Sequence, residues 1–220
     1  MIRLAVLDMA GTTVRDDGAV ERAFVEALGE MQDGVDPDRH LNYVRATMGQ
    51  SKITVFRHVF DGDEARAQEA NRRFEVAFDR AVSRGEIEPL PGAPEALAAL
   101  HEGGVRVCLT TGFSDATRER LVDALGWRQL VDLSLSPGPG VRGRPHPDLV
   151  LTALLRLEID AVDQVAVAGD TASDLEAGTA AGAAIVAGVL TGAHTRARLA
   201  AAPHTHLLDS IADFPPLVLP

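Results

Sequence analysis

Short apolar runs rich in Val, Ile and Leu recur at 2–7, 105–110, 164–168, 184–190 and 205–208, and none shows the alternation of a half-exposed strand. Strands buried on both faces of a parallel sheet have this pattern. Helical periodicity fills the gaps, at 93–102 behind Pro91-Gly92-Ala93-Pro94, at 115–125 behind the cap candidate Ser114, and at 147–157 behind His146-Pro147. Strand alternating with helix predicts an α/β fold built on a doubly wound parallel sheet.

Residues 18–85 break this rhythm, with helical spacing at about 20–31, 37–47, 51–60 and 63–84 and no convincing strand. Turn-rich borders, Asp16-Asp17-Gly18 on one side and 84–92 on the other, suit hinges. The organisation expected is an α/β core made of 1–16 and 86–220, with an all-helical cap of 17–85 inserted after the first strand. No internal repeat or low-complexity tract interrupts it.

The 220 residues carry 32 acidic against 21 basic side chains, a formal charge of -11. Nucleic acid and anionic membranes are poor partners for such a surface, because both bind through clustered Lys and Arg. The weakly polar stretch 180–193 is Gly- and Ala-rich and shorter than the ~20 residues of a bilayer span. The start at Ile2-Arg3-Leu4 lacks a basic leader, and the single cysteine, Cys108, allows no disulfide, so a cytoplasmic protein is expected. Twenty of the basic residues are arginine and one is lysine, Lys52.

Candidate chemistry gathers where strands end. The first runs into Asp8-Met9-Ala10-Gly11-Thr12-Thr13, which puts an aspartate at the carboxyl edge of the sheet, where open α/β proteins bind ligands. Another ends in Gly169-Asp170 with Asp174 four residues on, and carboxylates meeting across adjacent strand ends suit Mg²⁺. Thr111-Gly112 offers a hydroxyl and backbone N–H groups to an oxyanion, and Arg144, between Gly143 and Pro145, suits a phosphate clamp. Taken singly, each has a plainer reading: Asp8 opens a turn, Asp174 favours a helix N-terminus, Arg144 is a solvated loop residue.

In order, Asp8 with Gly11-Thr12, Thr111-Gly112, Arg144, then Gly169-Asp170 with Asp174 resemble the motifs of the haloacid dehalogenase superfamily over nearly the whole chain. The resemblance implies a Rossmann-like core, a helical cap, Asp8 as a nucleophile toward phosphorus, and Mg²⁺ held at Asp8, Ala10, Asp170 and Asp174. Phosphatases of the superfamily carry a second aspartate where this chain has Ala10, so a leaving group that needs no proton from that position is expected. Asp-x-Ala-Gly-Thr-Thr and Met48-Gly49-Gln50-Ser51-Lys52 both resemble the phosphonatase branch, in which the lysine forms a Schiff base with an aldehyde so that carbon leaves phosphorus as an enamine. The set implied is catalytic Asp8, Lys52, Thr111 and Arg144, with Gly11, Thr12, Met48 and Gly112 toward substrate and Phe113 as the expected aromatic; Met48 also fits the cap interior.

The branch has a histidine three residues after its lysine, where this chain has Val55; His58 lies one turn on, rotated by about 60°. Substrates compatible with the motifs are a carbonyl phosphonate, a phosphate monoester, or either one bound without turnover by a sensor. A carbon–halogen dehalogenase has no use for the Asp170–Asp174 pair. His194 has a path to the site from the last strands, whereas His204-Thr205-His206 and the turn 137–140 are assigned no site. Related phosphonatases pair through their caps, and an apolar face on 51–60 would permit a homodimer.

Overall fold

The computed structural model describes residues 1–29, 31 and 37–219, with the backbone alone at 37–39. Strand β1 (Leu4–Asp8) is followed by the two-residue β2 (Val14–Arg15) and then by helices α1 (Ala19–Gly29), α2 (Pro37–Ala46), α3 (Lys52–Val59) and α4 (Glu64–Ser83). The chain returns through β3 (Glu88–Pro89), α5 (Ala93–Glu102), β4 (Arg106–Thr110), α6 (Asp115–Ala124), β5 (Leu133–Leu135) and α7 (Asp148–Arg156). It ends with β6 (Val165–Gly169), α8 (Ala172–Ala181), β7 (Ile185–Val189), α9 (Arg196–Ala201), β8 (His206–Leu208) and α10 (Pro215–Val218). The expected elements are present within one or two residues; Glu30, inside the helix expected at 20–31, lies outside the described residues.

Six strands pair in parallel in the order β5-β4-β1-β6-β7-β8. Alternation along β1 sends Ala5 and Leu7 into one core layer, which continues into α1, α3, α4 and α5, and Leu4 and Val6 into the other, against Leu149, Val150 and Ala153 of α7. Cys108 is a buried member of the second layer, and burial pushes its thiol well up, out of reach of thiolate chemistry. Register sets Asp8 beside Thr110 and Leu7 beside Ala168, so three neighbouring strands end side by side.

Two elements go beyond the apolar runs. Strand β5 is Leu-Ser-Leu between Asp132 and Ser136, so polar residues break any apolar run that would mark it. Just before the first border read as a hinge, Val14 and Arg15 pair antiparallel with Pro89 and Glu88 of the second, and Leu90 N–H donates to the Thr13 carbonyl at 3.0 Å. The chain thus leaves and re-enters the α/β layer through a single clasp.

An aromatic cluster joins three helices of the insertion, α1, α3 and α4. The Phe74 ring on α4 lies 4.7 Å from Phe24 of α1, 6.2 Å from Phe56 of α3 and 6.2 Å from Phe113, which follows β4. Phe113 also lies 4.5 Å from Phe78, so one core-side ring completes the cluster. Val55, Phe56 and Val59, the apolar face expected to be available for pairing, are buried within the chain, so that face presents no surface to a second copy. No helix among the described residues is long and apolar enough to cross a membrane.

Phe74 has no exposed surface, and its ring touches all three sides of the cluster. Phe74→Ala is expected to lower unfolding stability by about 3–5 kcal/mol, as a shift in the urea midpoint.

Candidate active site

The carboxyl ends of β4, β1 and β6 open onto a cavity of about 770 Å³, lined among others by Asp8, Lys52, Thr111, Arg144 and Asp170. Residues expected from scattered motifs therefore meet. Asp8 follows directly from the last buried residues of β1, and Thr13 Oγ1 donates to its carbonyl at 2.9 Å, closing the turn behind it. Asp8 Oδ1 and Asp174 Oδ1 both accept from the same Arg144 nitrogen, Nη1. All three residues are almost fully buried.

Asp170 is held differently. Thr12 Oγ1 donates to Oδ1 at 3.2 Å and Ala193 N–H to Oδ2 at 2.6 Å. A Cβ on Gly11 would come within 2.5 Å of Asp170 Oδ2, and one on Gly192 within 2.0 Å, so both loops approach the carboxylate as only glycine can. Thr12 is fully buried and braces Asp170 rather than lining the cavity; Gly11, Met48 and Gly112 do line it. Thr171 caps α8 and returns its hydroxyl to Asp174, which fixes that side chain from behind.

Oxygens of Asp8, Asp170 and Asp174 lie within 4.8 Å of one another. Burial, then the charges of Asp8 and Asp174, raise the Asp170 carboxyl well above its ordinary range. Burial likewise raises Asp8 to about 6, against the opposing pull of Arg144. Three buried carboxylates facing one guanidinium form a hard oxygen donor set with excess negative charge, which fits Mg²⁺. Ala10 has only its backbone carbonyl to offer such an ion.

Lys52 approaches from the insertion. Its N–H donates to the Gly112 carbonyl at 3.1 Å, and a Cβ on Gly112 would fall 2.2 Å from the Gln50 carbonyl oxygen, so segment 49–52 seats directly on the loop after β4. Nζ lies 5.2 Å from the Phe113 ring centroid and 5.8 Å from that of Phe24. Burial, followed by the charge of Arg144, lowers the ammonium to about 8, while Asp8 and Asp16 pull the other way. A lysine with a pKa of 8 is neutral in about one molecule in ten at pH 7, against fewer than about one in a thousand for an ordinary lysine.

His58 does not join the site: it is exposed on the far side of α3 and stacks on Tyr43 at 3.9 Å. Val55, at the position of the branch histidine, is buried core. His194 does line the cavity, with Nδ1 accepting from Ala172 N–H at 2.9 Å, and burial and Arg198 lower its pKa. Asp16 and Phe24 are cavity or lysine neighbours that the motifs left out, since one reads as a turn acid and the other as plain core.

A strand-end aspartate, a buried carboxylate trio and an arginine that bridges two of its members, beside inserted helices, form the site of an α/β hydrolase. The chain matches haloacid dehalogenase-like hydrolases over residues 2–182 and belongs to that family. It is 29% identical to a probable phosphatase, IndB, of Dickeya dadantii over 96% of this chain and 90% of the relative. It is 28% identical to a phosphonoacetaldehyde hydrolase of Parabacteroides distasonis over 79% of this chain and 70% of the relative. In fold it superposes on a phosphonoacetaldehyde hydrolase-like protein of Oleispira antarctica with a TM-score of 0.84, at 22% identity, over 99% of this chain and 91% of that one.

Two outcomes follow for the purified protein. Mg²⁺ is expected to raise the melting temperature, and Asp170→Asn to abolish that rise while stabilising the metal-free protein by relieving carboxylate repulsion; calorimetry with and without EDTA reads both. Modification of Lys52 by an amine-reactive reagent, followed by peptide mass spectrometry, is expected to accelerate as pH rises through about 8, because only the neutral amine reacts.

Proposed function

We propose that the chain is a Mg²⁺-dependent hydrolase that cleaves the carbon–phosphorus bond of phosphonoacetaldehyde or a related carbonyl phosphonate, with Asp8 as nucleophile and Lys52 as the imine-forming amine. The observation that carries this is the sole lysine of the chain, buried beside Phe24 and Phe113 in the cavity that Asp8 lines, with its ammonium lowered to about 8. An arginine-rich chain that keeps one lysine there keeps the one cationic side chain able to condense with a carbonyl.

The neutral amine of Lys52 adds to the aldehyde carbon and loses water to give a protonated imine. Asp8 then attacks phosphorus. The electron pair of the breaking carbon–phosphorus bond moves into the iminium, which becomes an enamine, so the leaving carbon needs no acid at Ala10. Arg144, with the Thr111 hydroxyl and the backbone N–H of Gly112, holds the phosphoryl oxygens against the nucleophile. Protonation of the enamine at carbon and hydrolysis release the aldehyde and Lys52, and water cleaves the aspartyl phosphate. Mg²⁺, when bound by Asp8, Asp170 and Asp174, supplies positive charge against the phosphoryl oxygens. Residues 17–85 act in this scheme as a cap over the core of 1–16 and 86–220, carrying Lys52 to the substrate on the β2–β3 clasp.

A phosphate monoesterase is the second reading, favoured by the match to a probable phosphatase over 96% of the chain. The two separate experimentally. Borohydride added during turnover of phosphonoacetaldehyde is expected to alkylate Lys52 and stop the enzyme, and Lys52→Arg to cut carbon–phosphorus cleavage by at least about 10²-fold. Unlabelled Lys52 together with sugar-phosphate turnover in Lys52→Ala would establish the monoesterase instead.

A further inference from the structure

Imine chemistry at Lys52 needs a group that gives a proton to the departing hydroxyl. Neither Val55, buried in the insertion, nor exposed His58 supplies one. Asp16 does have the position. It lines the same cavity as Lys52, and its Oδ1 accepts from Val20 N–H at 2.8 Å, which fixes the carboxyl at the first turn of α1. Phe24, the ring 5.8 Å from Lys52 Nζ, lies one turn further along the same face as Val20. The carboxyl and the amine line one cavity, and the charge of each acts on the other. Oδ2 of Asp16 has no side-chain partner among the described residues.

Resting on the imine reading above, we propose that Asp16 is the catalytic acid of imine formation at Lys52. Lys52 adds to the carbonyl to give a neutral carbinolamine. Protonated Asp16 transfers its proton to the carbinolamine hydroxyl, water leaves with the carbon–oxygen pair, and the nitrogen lone pair closes the iminium; Asp16 is left as carboxylate. In the reverse direction the carboxylate takes a proton from the attacking water that hydrolyses the final imine, which returns both groups to their starting forms. Burial raises the carboxyl above its ordinary range, against the Val20 and Ala19 N–H groups and the charges of Lys52 and Arg22.

The carboxyl also caps α1, and the test separates the two roles. Asn keeps an oxygen for the Val20 N–H but carries no acidic proton. In wild type, borohydride with phosphonoacetaldehyde labels Lys52. Asp16→Asn is expected to melt at the wild-type temperature and to be labelled about 10²-fold more slowly, while beryllofluoride still protects Asp8 from turnover-dependent modification equally in both. Asp16→Ala is expected to show the same slowing with a lower melting temperature. Labelling of Asp16→Asn at the wild-type rate overturns the assignment and leaves the Lys52 imine standing, as does slowing in Asp16→Ala alone. Absence of label in the wild type itself overturns both.

Discussion

The guanidinium of Arg144 bridges Asp8 and Asp174 at the edge of the sheet, and the surrounding structure is arranged around charge that it does not balance. Burying a carboxylate is unfavourable unless it is paired, and here three share one cation. The fold tolerates this by spending backbone and small residues on the acids: Ala193 N–H and the Thr12 hydroxyl on Asp170, the Thr171 hydroxyl on Asp174, glycines at 11 and 192 where any side chain would collide. Deep placement at parallel strand ends keeps the acids fixed without a partner for each. Such a site is poised for a divalent cation and for an anion that arrives with it.

Opposite this charged floor lies an apolar wall, and the two depend on the same physical cause used with opposite sign. Desolvation raises the acids Asp8 and Asp170 and lowers the base Lys52. Lys52 also opens α3, the end of a helix where a cation is disfavoured. One cavity therefore holds a carboxylate and an amine, and the charge of Arg144 favours the first as an anion and the second as a neutral amine.

The α/β layer was legible because its strands are continuous apolar runs, and the first, second and last motifs were legible because each follows such a run. What failed to show did so for physical reasons. Strand β5 is interrupted by Ser134 and flanked by polar residues, so it forms no apolar run, and the β2–β3 clasp is made of short segments that pair across more than 70 residues of chain. Helical rotation set His58 about 60° from the Val55 position, and in the fold it lies exposed against Tyr43. The apolar stripe on 51–60 was read correctly as apolar; its destination, the Phe24–Phe74 cluster, is a tertiary fact. Asp16 carries no sequence signal at all, since a turn acid before a helix has the same appearance whether it caps the helix, serves the cavity or does both.

Phe113 belongs to two structures at once. It packs with Phe74 and Phe78 of the insertion, and its ring is one of the two beside the Lys52 ammonium. Cohesion of the helical layer and the dielectric around the amine are thus set by one side chain rooted in the α/β layer. The two properties cannot drift independently: a change that loosens the aromatic cluster also rehydrates the lysine and returns it toward an ordinary, protonated surface residue.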